Sequence, residues 1–83
     1  MNEDTIQERV KEVMAGIFSM DPADIGPHSS LRTIKKWDSL QHVNLIIALE
    51  QAFGLRIAVS QAVEMTSFPS VCRVVAQSLG EAF

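Results

Sequence analysis

The chain carries one cysteine, Cys72, one tryptophan, Trp37, and no tyrosine. A lone cysteine cannot close an internal disulfide, so nothing covalent staples this fold, and the composition suits a reducing cytosol. Cys72 falls inside an apolar helical pattern and reads as a buried structural thiol. Glycine is scarce, with four in 83 residues, which leaves no glycine-rich phosphate loop. His28, His42 and Cys72 make no recognisable zinc spacing, so no metal is expected. Basic residues are few: seven Lys and Arg stand against ten Asp and Glu, for a net charge of −3. Without a basic stripe, nucleic acid is an unsuitable partner, and the acidic balance points to basic proteins. No run reaches the ~18 apolar residues of a membrane span, and Met1-Asn2-Glu3-Asp4 is too acidic for a signal peptide.

What remains is a short chain rich in apolar residues. Its length predicts one small domain over residues 1–83, and such a domain buries only about 60–65% of its unfolded surface. A hydrophobic content of 47% supplies a helical core but leaves little room for a catalytic cleft.

The apolar spacing predicts helices. Ile6, Val10, Val13, Met14 and Ile17 form one stripe of a helix from about Thr5 to Phe18, and Asp4 with Gln7 has capping-box spacing. Asp21-Pro22 and Gly26-Pro27 break any helix across Ser19–Trp37. Ile25, Leu31, Ile34 and Trp37 are spaced to pin that long loop onto the core, with a helical turn at Ser30–Thr33. A second long helix of about 22 Å is expected from Ser39 to Phe53, stopped by Gly54. Leu45, Leu49, Ala52 and Phe53 make its core stripe. Leu40, Val43 and Ile47 make a neighbouring one, which is either more core or a strip exposed for a partner. Leu55–Val59 alternates like a strand but has nothing to pair with, so it is read as extended connection. Ser60 is the expected cap of a short helix through Met65. Ser67 is that of a last helix, with Pro69 in its first turn and Gly80 at its end. Val71, Val74, Val75 and Leu79 give its buried stripe. The expected fold is all-α, a small four-helix bundle of three main helices and a short one, with an ordered loop between the first two.

Asp38-Ser39-Leu40 stands where the polar loop becomes the second helix. A serine there holds its hydroxyl beside unpaired backbone N–H groups at the positive end of the helix dipole, where a phosphate is well placed. Asp38 can cap, and Gln41 can bond back. The same tripeptide also serves as a plain cap. His42, one turn on, is a neighbour of Ser39, but no third group orients its ring, so a Ser-His hydrolase is not expected and His42 reads as a solvated surface residue.

The order of these features resembles the acyl carrier proteins, over essentially the whole chain. It rests on Asp-Pro-Ala-Asp-Ile at 21–25, Ser-Ser-Leu at 29–31, Trp37-Asp38-Ser39-Leu40 and Ala-Leu-Glu-Gln-Ala-Phe-Gly at 48–54. The resemblance implies a non-enzymatic cytoplasmic carrier, a monomer. Its Ser39, flanked by Asp38 and Leu40, would bear 4′-phosphopantetheine taken from coenzyme A by a phosphopantetheinyl transferase. The arm's thiol then holds acyl groups as thioesters for acyl-loading and acyl-transfer enzymes, in fatty-acid-like, polyketide or other specialised synthesis. Such chemistry belongs to the prosthetic group, which is why no catalytic residue is needed. The family picture adds two expectations: a partner face at Leu40, Val43, Ile47 and Glu50, and an acyl pocket lined by Leu45, Leu49, Phe53, Ile57, Val71 and Val75. Simple core packing is the competing reading of that pocket.

One departure stands out. Members serving fatty-acid synthesis usually carry several acids along the helix after the serine, whereas here Glu50 is its only one, and Arg32, Lys35 and Lys36 make the approach locally basic. A peptidyl or aminoacyl carrier of nonribosomal synthesis is the nearest alternative, although the glycine pair common ahead of its serine is replaced by Lys35-Lys36-Trp37-Asp38. An unmodified helical interaction module is the other.

Overall fold

The computed structural model describes residues 3–80; Met1 and Asn2, part of the acidic N-terminal stretch, lie outside the described residues. Four α-helices follow one another: α1 (Glu3–Phe18), α2 (Ser39–Phe53), α3 (Val59–Ala62) and α4 (Phe68–Ser78). No strand forms among the described residues, and the 55–58 segment is extended connection. The all-α expectation, three main helices and a short one, is met.

The stripes read from the sequence converge on one core. Ile6, Val10, Met14 and Phe18 of α1 are buried against Leu45 and Leu49 of α2 and against Phe68, Val71, Val74 and Val75 of α4. Cys72 is buried, as expected. α1 begins two residues ahead of the expected start, so Asp4 lies within the helix instead of capping it. It ends where Ser19 turns left-handed, at φ 53°, letting the Met20 N–H reach back to the Ala15 carbonyl.

The long loop is held at several points. Pro22–Asp24 forms a 3-10 turn capped by Asp21, Thr33 and Ile34 N–H both donate to the Ser30 carbonyl, and Ile25, Ile34 and Trp37 are buried. Main-chain bonds from Leu31 N–H to the Thr66 carbonyl and from Phe68 N–H to the Ser29 carbonyl stitch it to the start of α4. Leu31 is not the expected pin: it is 46% exposed, because those main-chain bonds fix the segment and the core is already filled by its neighbours.

α3 begins earlier than expected. Ala58, not Ser60, takes the N-cap position, and the Gln61 side chain accepts the Ala58 N–H. Ser60 therefore lies inside a helix of only four residues. α4 starts as expected, with Ser67 Oγ accepting from Ser70 N–H while Ser70 Oγ accepts from Ser67 N–H, and Gly80 is left-handed at its end.

Candidate functional site

Ser39 is the first residue of α2 and is exposed. Asp38 stands before it in extended conformation, and its carboxylate accepts the Gln41 N–H at 2.9 Å. The Asp38 carbonyl accepts the His42 N–H. The main-chain N–H groups of Ser39 and Leu40 take no partner among the described residues, so two donors at the positive helix end remain beside the serine hydroxyl. A phosphodiester on Ser39 Oγ fits that chemistry. The reciprocal bond expected of Gln41 is not made. Its amide nitrogen donates to the Ile17 carbonyl at 3.1 Å and its oxygen accepts from Asn44, while the Asp38 N–H that it would have accepted donates to the Lys36 carbonyl.

A groove of about 530 Å³ opens beside Ser39. Trp37, Asp38, His42, Ala62, Val63, Met65 and Thr66 are among the residues that line it. Its lining is chiefly apolar and includes Ser39.

His42 is not the solvated residue that sequence suggests. It is half-buried between the loop and α3, with Trp37 Nε1 donating to its Nδ1 at 3.0 Å and its Nε2 2.9 Å from the Ala62 carbonyl oxygen. Trp37 meets two rings, tilted against Phe18 at 5.1 Å and stacked on His42 at 6.1 Å between centroids. This set was invisible in sequence because it joins three separate segments. The one available signal was an aromatic Trp37 and a His42 flanking the same helix start.

The two apolar stripes of α2 separate cleanly. Leu45 and Leu49 are fully buried, whereas Leu40, Val43 and Ile47 are 70%, 53% and 47% exposed. The Glu50 carboxylate turns back into the molecule and accepts the Ile57 N–H at 3.0 Å. Arg32, Lys35 and Lys36 are exposed and form no ion pair among the described residues. Of the six residues expected to line an acyl pocket, Leu45, Leu49, Val71 and Val75 are fully buried, and Phe53 and Ile57 pack on the same core. Among the described residues no cluster of metal-ligating side chains forms, and no helix is long and apolar enough to cross a membrane.

Comparison with known proteins fits this arrangement. Residues 8–75 match the family model described as "Phosphopantetheine attachment site". The chain is 37% identical over 71 residues to an acyl carrier protein of Thermosynechococcus vestitus, covering 86% of this chain and 88% of that one. It is 33% identical over 67 residues to an acyl carrier protein of Rubrobacter xylanophilus, covering 81% and 83%. A family model spanning most of the chain, two relatives of matching length and an all-helical fold agree: the chain belongs to the acyl carrier protein family, whose members are phosphopantetheine-bearing carriers and not enzymes.

Proposed function

We propose that this chain is a carrier whose Ser39 Oγ bears 4′-phosphopantetheine, joined by a phosphodiester after transfer from coenzyme A by a separate transferase. The observation that carries this is the setting of Ser39: exposed, first in α2, beside two unpartnered N–H groups and in the lining of a groove. When attached, the arm supplies a thiol on which acyl groups ride as thioesters. This chain's residues hold and display it. Asp38 fixes the helix start, the free amides of Ser39 and Leu40 face the phosphate charge, and α2 gives a rigid base.

The same reading assigns Leu40, Val43 and Ile47 to partner docking, since they are exposed on the helix that starts at Ser39. With Glu50 engaged internally and Arg32, Lys35 and Lys36 unpaired nearby, the charged rim of this face suits an acidic partner. That separates this carrier from those whose acidic second helix meets basic enzymes, and supports a specialised pathway. Apolar cargo folded inward would have to part Leu45, Leu49, Phe53, Ile57, Val71 and Val75. Comparing amide shifts of the arm-bearing and medium-chain acyl forms tests this: movement deep in the core means cargo enters, and its absence means cargo stays outside.

Co-expression with a broad-range phosphopantetheinyl transferase, read by intact mass, tests the function itself. A gain of one arm is expected. No gain would make the chain a helical interaction module that keeps the fold alone.

A further inference from the structure

Trp37, His42 and Ala62 form a hydrogen-bonded relay across one wall of the groove beside Ser39. An indole nitrogen only donates, and a carbonyl oxygen only accepts. Both bonds therefore exist together in one state of His42, the neutral imidazole with its proton on Nε2. A second proton, on Nδ1, would set an N–H donor against the Trp37 N–H. Trp37 is only 6% exposed, so its donor has little water to turn to, and leaving such a donor unpaired is unfavourable.

The element at the other end of the relay is weakly held. α3 has four residues and no hydrogen bond from an N-cap side chain, and its first residue Val59 and its C-cap Val63 are 82% and 70% exposed. Ala62, Val63, Met65 and Thr66 of this segment make one side of the groove. We propose that His42 is a positioning residue that latches α3 and Trp37 to α2: neutral, it fixes the shape of the groove beside Ser39, and protonated, it lets the α3 wall move.

Histidine is the side chain whose charge ordinarily changes between pH 5 and 8. Asp38 is the other titratable group on the groove, and its carboxylate is engaged by the Gln41 N–H. Lys35 and Lys36 before Trp37, and Glu64 after Ala62, are exposed. α1 meets this end of α2 through the Ile17 carbonyl, a neutral group. The consequence for an attached arm rests on Ser39 being its site, but the latch is tested on the unmodified protein, so the two readings fail separately.

The experiment follows the Trp37 indole N–H and the amides of residues 60–66 by NMR from pH 5 to 8, in a His28→Gln background that leaves one histidine. The latch requires these signals to shift together with the His42 ring, at one midpoint. In His42→Gln that shift is lost, because the amide can accept from Trp37 and donate to Ala62 without taking a proton. A His42 ring that titrates while Trp37 and residues 60–66 stay fixed would overturn the proposal, as would a transition that persists in His42→Gln.

Discussion

The carboxylate of Glu50 receives the backbone N–H of Ile57, with 3.0 Å between Oε2 and nitrogen. This one bond ties the last turn of α2 to the connection that leads into α3. It follows the reversal at Gly54, whose left-handed backbone at φ 63° lets both its own N–H and that of Leu55 reach the Glu50 carbonyl. The lone acid of α2 is thus a structural residue, and its removal is a stability matter first. Glu50→Ala should destabilise by about 1–2 kcal/mol, since a half-buried N–H loses a charged acceptor. In a domain of this size that lowers the melting midpoint by about 4–15 °C. Glu50→Gln, which keeps an acceptor, should lose less than half as much. Thermal melts of the two variants check this.

Two of the left-handed helix ends, Ser19 and Gly54, behave oppositely. At Ser19 the backbone adopts φ 53° with a side chain present, so Ser19→Gly should stabilise by up to about 1 kcal/mol. At Gly54 no atom would obstruct a Cβ, so Gly54→Ala loses only conformational ease and should destabilise by about 1 kcal/mol. Denaturant midpoints at unchanged slope measure both.

Exposure separates the α2 stripes into two classes of mutant. Leu49→Ala, at a fully buried position, should destabilise by about 2–5 kcal/mol. Val43→Glu and Ile47→Glu should leave the melting midpoint within a few degrees of wild type but slow acyl transfer to the cognate enzyme. The wild-type rate should fall only modestly with salt, because apolar contact survives screening that weakens exposed ion pairs beyond ~8–10 Å. Transfer kinetics at low and high salt decide. A steep loss with salt, or indifference to both substitutions, would move recognition to charges elsewhere.

Local signals were the legible ones. Asp38 capping α2, Gly54 ending it, Ser67 starting α4 and the apolar stripes of three helices all depend on residues within a turn or two of one another. What sequence could not supply depends on partners far along the chain. Gln41 prefers the Ile17 carbonyl to its own helix start, and Glu50 prefers Ile57 to solvent. His42 finds Trp37 and Ala62. Leu31 is left out of the core because its main-chain bond to the Thr66 carbonyl holds it at the surface. The start of the short helix is missed for a related reason: its N-cap is Ala58, which has no capping side chain, so the conspicuous Ser60 points two residues too late. Around Ser39, its place as the first, exposed residue of α2 is legible in the sequence, and the groove beside it is not.

Mapping the arm by fragmentation mass spectrometry of the transferase-treated protein tests the central claim most directly. A single phosphopantetheine on Ser39 is expected, with Ser39→Ala folded and unloaded. An arm on any other serine, or loading that continues in Ser39→Ala, would contradict it.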